Sequence, residues 1–204
     1  TALENADTLS SATRLRQRLS ALENELSRRQ MITLQEAADE LLSDAAALMP
    51  LVTTDEIKPF KAQIEAVVRA LNSNIVQQVT GEGKTYTVAL LPTLYGLIAE
   101  TMPGYAIDII TSNDNLAREG YKKTKDFYAA LGLEVDFLAD QKEFDARKKA
   151  YNAHILYTTT SNLVFDYEKD HSTARDAKDR VQEKDARSRL QGMAIVDEVD
   201  DILL

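Results

Sequence analysis

The sequence predicts an α/β fold in which helices flank a mostly parallel β-sheet, with a helical extension before it. From about residue 55 onward, short β-rich runs alternate with helical stretches, a pattern typical of parallel sheets. One run leads into a glycine-rich turn, and another ends in two adjacent carboxylates. Ligands of such sheets bind beyond the carboxyl ends of the strands. We therefore assign residues 1–54 to the extension and residues 55–204 to an α/β domain that we expect to be incomplete at its C-terminal end.

The extension is polar and predicts two helices. The first carries four leucines on one face: Leu15, Leu19, Leu22 and Leu26. Thr33 can cap a second helix, Glu36 can complete the capping box, and this helix is expected to end near Pro50. The leucine stripe is too short for a dedicated coiled coil, so we expect these helices to pack on the main domain or on a partner.

Five strands and four helices are predicted after the extension. The strands are Ile75–Val79, Ala106–Thr111, Leu133–Phe137, His154–Thr158 and Met193–Asp197. The helices cover residues 84–100, 114–131, 143–151 and 159–169. Pro92 lies in the first of these helices, where it should cause a kink or a short break. The charge-dense residues 167–190 favour a solvated helix or a mobile connection.

The composition argues against several kinds of site. The chain has 204 residues, of which 44% are hydrophobic, enough for a sizeable core. It has no Cys, which excludes thiolate zinc sites and disulfides, and only two His. Its net charge is −9, which argues against nucleic-acid binding. No apolar run is long enough to span a bilayer, so we expect a cytoplasmic protein without a transmembrane segment.

Both ends of the sequence suggest a longer parent protein. The chain begins at Thr1 without a Met and stops inside the apolar segment Asp201–Leu204. We expect both ends to be cuts, so that the function of these residues is that of the parent.

The motif with the clearest chemistry lies between the first predicted strand and the helix at residue 84, and reads Thr80-Gly81-Glu82-Gly83-Lys84-Thr85. Phosphate oxygens need several backbone N–H donors at one point, and glycine lets the chain bend that closely around them. Lys84 would supply charge to the β- and γ-phosphates, and the Thr85 hydroxyl would be a ligand for Mg²⁺. The general motif has one further glycine, where this chain has Gln78.

A second motif ends the last predicted strand and reads Ala194-Ile195-Val196-Asp197-Glu198-Val199-Asp200. Asp197 would lie beside the metal, and Glu198 could orient or deprotonate an attacking water. Acidic residues after a strand can also mark no more than a helix start. Their combination with a phosphate loop on the same predicted sheet favours catalysis.

These two motifs resemble those of SecA, the ATPase that drives preproteins through the bacterial secretion channel. SecA also lacks the first loop glycine, so Gln78 suits that family. Between the motifs, residues 111–118 (Thr-Ser-Asn-Asp-Asn-Leu-Ala-Arg) are similar to the family's Thr-Val-Asn-Asp-Tyr-Leu-Ala-Arg. Residues 157–159, 165–167 and Asp170 match a further block. Residues 160–164 (Thr-Ser-Asn-Leu-Val) replace the family's Asn-Asn-Glu-Phe-Gly, which indicates a divergent or accessory member.

The resemblance covers about residues 55–204 and implies a RecA-like P-loop NTPase domain that binds ATP or ADP with Mg²⁺. It implies that Glu198 and Lys84 are catalytic and that Thr85 and Asp197 are metal ligands. Nucleotide contacts would come from residues 80–85, and from Phe60 and Gln63, which fall where the family contacts adenine. The Gln63 amide, both donor and acceptor, would then select ATP over GTP.

The resemblance further implies a cytoplasmic motor, peripheral at the membrane, that moves a preprotein into a SecY-type channel. A second RecA-like domain would supply an arginine, so the residues present should alone hydrolyse ATP very slowly. Two alternatives stay open. One is a nucleic-acid helicase of the same superfamily, which the acidic balance disfavours. The other is a non-catalytic interaction module, which the intact Lys84 and Glu198 disfavour.

Overall fold

The computed structural model describes residues 13, 17, 34–52, 59–72, 75–78, 83–99, 105–138, 143–172, 183–184, 187–188, 190–199 and 202. The chain divides into two compact units. The first comprises residues 1–97 and 126–132, and the second comprises residues 98–125 and 133–204. Of the first predicted helix only residues 13 and 17 are described, both helical, so the leucine stripe and Thr33 lie outside the described residues.

The first unit contains helices α1 (Leu34–Val52), α2 (Lys61–Asn72) and α3 (Lys84–Ala99). The apolar face of α1 is fully covered through Leu42, Ala45, Leu48 and Met49, whose spacing of three and four residues places them on one side. α1 contacts α2, which buries Gln63, Ala66 and Val67. α1 ends at Val52, close to Pro50 as predicted, with the proline inside its last turn. The Pro50 ring removes one backbone N–H from the last turn of the helix. It is tolerated there because the fixed φ of proline is close to the helical value.

The helix α3 passes through Pro92 without interruption, so the predicted break is absent. Pro92 has no N–H to donate to the carbonyl one turn earlier, and the Thr93 hydroxyl donates locally to the Leu90 carbonyl oxygen. The residues from Ala89 to Thr93 are buried. The Tyr128 hydroxyl donates to the Ala89 carbonyl oxygen at 3.0 Å. Burial on this side stabilises α3 despite the proline.

The second unit is built on a four-stranded parallel sheet of β1 (Tyr105–Thr111), β2 (Val135–Phe137), β3 (Ile155–Thr159) and β6 (Leu190–Val196). The spatial order is β2-β3-β1-β6. The helices α4 (Asp114–Ala130), α5 (Phe144–Tyr151) and α6 (Thr160–Ser172) alternate with the strands along the chain, and the last residues of α4 belong to the first unit. This architecture confirms the predicted fold class.

The core of this unit lies along β1 and β3. All five residues of β3 are buried, and β1 buries Ile107 and Ile109. α4 lies close above β3 at Gly120, where an added Cβ would be 2.6 Å from the Tyr157 ring. Strands buried on both faces in this way are typical of parallel sheets covered by helices.

One strand prediction was wrong, and the prediction for residues 167–190 was confirmed only in part. Residues 75–78 of the strand predicted at Ile75–Val79 form no strand, and Ile75 is 82% exposed. Two apolar residues followed by two glutamines give a strand too little surface to bury. Within the stretch 167–190, α6 continues to Ser172, and β4 (Glu183–Lys184) pairs with β5 (Arg187–Ser188) in an antiparallel ribbon. No helix in the described part of the chain is both long and apolar enough to cross a bilayer.

Candidate functional site

The end of the predicted phosphate loop is a turn that leads directly into α3. Gly83 has φ +70°, and Lys84 is the first residue of the helix. The Tyr86 N–H donates to the Gly83 carbonyl oxygen at 3.0 Å, which closes the first turn. Lys84 and Thr85 are partly exposed. Thr80, Gly81 and Glu82 lie outside the described residues, so their predicted role as a phosphate cradle stays a prediction.

Two separate features favour glycine at position 83. Its positive φ disfavours any residue with a Cβ. A Cβ at this position would also lie 2.5 Å from Nε2 of Gln63. The glycine therefore lets a side chain from α2 approach the backbone of the loop.

The side chain of Gln63 links the start of α2 to the phosphate loop. Its Nε2 donates to the Gly83 carbonyl oxygen at 3.0 Å, and its Oε1 accepts from the Phe60 N–H at 2.8 Å. Gln63 is 2% exposed, whereas Phe60 is 70% exposed. The predicted proximity of Gln63 to the loop is therefore observed, but Gln63 lies on a helix, and its amide bonds to the protein backbone. Sequence reasoning did not find this second role.

The second motif lies at the carboxyl end of β6. The Asp197 N–H donates to the Ile110 carbonyl oxygen at 2.8 Å, which continues the pairing with β1. Glu198 then turns with φ +55°, and its N–H donates to Asp197 Oδ1 at 3.0 Å. A non-glycine residue in this left-handed region is disfavoured, and such residues are common at functional sites. Both carboxylates are partly exposed.

The loop after β1 lies beside this motif. Ser112 Oγ donates to Glu198 Oε2 at 3.1 Å. Asn113 Oδ1 accepts from the Leu116 N–H at 3.0 Å and caps α4. The parallel arrangement explains this meeting, because the ends of β1 and β6 lie at the same edge of the sheet.

A buried polar network lies next to this edge, and its long-range contacts were not predicted, although Asp166 falls in a block that matches the family. Arg147 of α5 pairs with Asp166 of α6, with Nε at 3.0 Å from Oδ1, and the side chains are 12% and 7% exposed. The Tyr151 hydroxyl donates to Asp166 at 2.8 Å. Arg147 also donates to Asn162 Oδ1 at 3.0 Å, and Asn162 Nδ2 donates to Asp114 Oδ1 at 3.0 Å. Asn162 thus joins three helices, in the block where the SecA resemblance breaks.

The described residues of the loop fit a phosphate group. The helix that begins at Lys84 presents unpaired N–H groups and the positive end of its dipole. Within the described part of the chain, Gln78 Nε2 and Thr87 Oγ1 are buried without a hydrogen-bond partner. Thr85 of the first unit and Asp197 of the second unit each carry side-chain oxygen, the ligand type that Mg²⁺ prefers. No group of three or more His, Asp or Glu side chains among these residues forms a separate metal cage.

Comparison with known proteins identifies relatives of this chain. The family model described as the SecA DEAD-like domain matches residues 1–204, including the extension. The protein translocase subunit SecA of Rubrobacter xylanophilus is 35% identical over 171 residues, which are 83% of this chain and 18% of that protein. The corresponding subunits of Campylobacter curvus and Legionella pneumophila are each 36% identical, over 81% and 83% of this chain and 18% of their own length. The chain thus spans about a fifth of the length of these relatives.

Proposed function

The chain belongs to the SecA DEAD-like domain family, and on that basis we propose that it is the ATP-binding part of a motor that couples ATP hydrolysis to protein translocation across a membrane. The observation that carries the proposal is the turn at Gly83, whose φ of +70° places Lys84 at the start of α3. A glycine turn that opens a helix with lysine is the arrangement in which backbone N–H groups bind nucleotide phosphates.

The residues of the loop would bind ATP and ADP through their phosphates. The N–H groups of residues 81–85 would donate to phosphate oxygens, and the Lys84 ammonium group would neutralise charge on the β- and γ-phosphates. Thr85 and Asp197 would hold Mg²⁺, which supplies Lewis-acid stabilisation of the developing phosphate charge. Because Lys84 acts on charge already present in bound ATP, it supports binding as well as turnover.

Glu198 is the proposed general base. Its carboxylate would accept the proton of the attacking water, a task for which a positioned group within hydrogen-bond reach is needed. Asp197 Oδ1 holds the backbone N–H of Glu198 at 3.0 Å, which fixes the turn that presents the side chain. Asp197 and Glu198 thus have separate roles, one toward the metal and one toward the water.

Phe60 and Gln63 are the proposed adenine contacts. The exposed Phe60 ring offers an apolar face, and the Gln63 amide can both donate and accept. Because that amide bonds to the Gly83 carbonyl oxygen, adenine binding and loop geometry would be linked through one side chain. Gln63→Ala should therefore weaken ATP binding more than GTP binding, measured by equilibrium titration. Equal losses for both nucleotides would leave Gln63 with the loop-supporting role alone.

The proposed partners are a preprotein and a SecY-type membrane channel, and the proposed location is the cytoplasm, with peripheral contact to the membrane. ATP hydrolysis by the natural protein should rise when an unfolded secretory polypeptide and channel-containing vesicles are added together. Single-stranded RNA, added at two salt concentrations, should give no stimulation. Stimulation by RNA alone would favour the helicase alternative, and the absence of hydrolysis under every condition would favour the interaction module.

A further inference from the structure

The hydrogen bond from Ser112 to Glu198 joins residues that are far apart in the sequence. Ser112 Oγ lies 3.1 Å from Glu198 Oε2, across a separation of 86 residues. In the family segment that residues 111–118 resemble, valine stands at this position, and valine has no donor. The hydroxyl is therefore a feature of this chain, and the function proposed above does not use it.

The backbone on the Ser112 side is firmly held. The Thr111 hydroxyl is within hydrogen-bond distance of the Thr158 carbonyl oxygen, at 3.3 Å, and of the Asn113 carbonyl oxygen, at 3.0 Å. Asn113 caps α4, and its Nδ2 lies 3.4 Å from Ser112 Oγ. A donor on one side of the Ser112 oxygen leaves its own hydrogen to point toward Glu198. The serine is thus fixed between a strand end and a helix cap.

On the other side of this hydrogen bond, the backbone and side chain of Glu198 need other groups to hold their conformation. Its φ of +55° lies in a region that non-glycine residues rarely adopt, and its side chain has three rotatable bonds. A hydrogen bond from its own N–H to Asp197 Oδ1 holds the backbone. The bond from Ser112 holds the carboxylate itself through Oε2 and leaves Oε1 to accept a proton. A charged acceptor makes this type of hydrogen bond stronger than a neutral pair.

We propose that Ser112 is a positioning residue that holds the Glu198 carboxylate in the orientation in which it takes a proton from water. The inference rests on the proposed role of Glu198 as general base. Small errors in the placement of a catalytic group lower the rate strongly while leaving ground-state binding intact. Ser112 should therefore affect kcat and not the affinity for ATP.

The test compares two variants of nearly equal shape, Ser112→Val and Ser112→Thr, in the natural protein. Valine removes the donor, so kcat should fall about tenfold, with KM for ATP and nucleotide affinity within about twofold of wild type. Threonine keeps the donor and should retain kcat within about threefold. Equal kcat values for the two variants would overturn the proposal. So would a loss of nucleotide affinity in Ser112→Val as large as its loss of kcat.

Two further variants separate this proposal from the assignment of Glu198. In the Glu198→Gln background, Ser112→Val should lower the residual turnover no further, because the base is already absent. In urea unfolding, the shift in midpoint caused by Ser112→Val should be smaller in the Glu198→Ala background, where only the contact with Asn113 is left to lose, and this readout is independent of activity. If Glu198→Gln alone kept full turnover, the proposed function of Glu198 would fail. If Glu198→Gln lost turnover and the two Ser112 variants behaved alike, only the role of Ser112 would fail.

Discussion

The link between α2 and the phosphate loop can be broken by an almost isosteric change, Gln63→Glu. The variant keeps an oxygen that accepts from the Phe60 N–H but replaces the donor to the Gly83 carbonyl oxygen with a second oxygen. At the observed 3.0 Å, two acceptors would then face one another. Because Gln63 is only 2% exposed, water cannot readily separate them.

The expected destabilisation can be estimated from two contributions. Loss of the hydrogen bond costs about 1 kcal/mol. Burial of a carboxylate raises its pKa, and each unit of that rise corresponds to about 1.4 kcal/mol. We therefore expect Gln63→Glu to lower the free energy of unfolding by about 2–4 kcal/mol at pH 7.5.

The pH dependence has a defined sign. In the unfolded chain the new carboxyl group ionises near its ordinary pKa of about 4.3, whereas in the folded chain it ionises at a higher pH. Between these two values the folded state binds more protons, so stability relative to wild type falls as the pH rises. Above the raised pKa the difference becomes constant. At low pH the protonated carboxyl group can donate to Gly83 again, and the variant should approach wild-type stability.

The assay is urea unfolding of both proteins at several pH values, analysed as a difference so that other carboxylates cancel. The control is Gln77→Glu, the same chemical change at an exposed residue, which should shift stability by less than about 0.5 kcal/mol. A Gln63→Glu variant as stable as the control at every pH would refute the proposed contact between α2 and the loop.

Three other predictions concern the second unit. Arg147→Met leaves the buried Asp166 carboxylate without its cation and should lower the free energy of unfolding in urea by about 3–5 kcal/mol. Adding Asp166→Asn should restore part of this loss, and a loss below about 0.5 kcal/mol would contradict the pairing. Gly120→Ala places a methyl group 2.6 Å from the buried Tyr157 ring and should lower the Tm through a cost of about 1–3 kcal/mol, whereas a raised Tm would mean that the ring moves freely. Asp197→Asn keeps an acceptor for the Glu198 N–H but loses its charge, so the Mg²⁺ concentration for half-maximal ATP hydrolysis should rise about tenfold or more. An unchanged Mg²⁺ concentration would contradict the proposed role of Asp197 as a metal ligand.

Much of the fold could be predicted from local patterns. The strand that ends at Thr111 and the one that begins near His154 have continuous apolar content, and both were found within a residue of their predicted positions. The strand prediction at residues 75–79 was wrong because local β-preference alone does not provide a neighbouring strand with which the segment could pair. Pro92 was expected to kink α3 or to mark a short break; no break is present, because burial of its surroundings outweighs the missing hydrogen bond. Tertiary context decided both cases.

The candidate site was predicted only in part. Gly83 and Lys84 form a recognisable motif because their spacing is fixed by local backbone geometry. The contacts beside the two motifs are long-range: Ser112 reaches Glu198 across 86 residues, and Gln63 reaches Gly83 across 20. No periodicity encodes such pairs. They arise where strands end at a common edge or where a glycine admits a side chain, and both conditions appear only in three dimensions.

The central claim, that Lys84 binds the nucleotide and Glu198 acts in hydrolysis, is tested most directly by measuring ATP affinity and turnover for two variants of the natural protein. Glu198→Gln should bind ATP within about threefold of wild type while turnover falls by about two to four orders of magnitude, because the amide cannot take a proton. Lys84→Ala should lose binding itself, and Lys61→Ala, which removes an exposed lysine of α2, should change neither quantity. Wild-type turnover by Glu198→Gln, or wild-type affinity of Lys84→Ala, would contradict the claim.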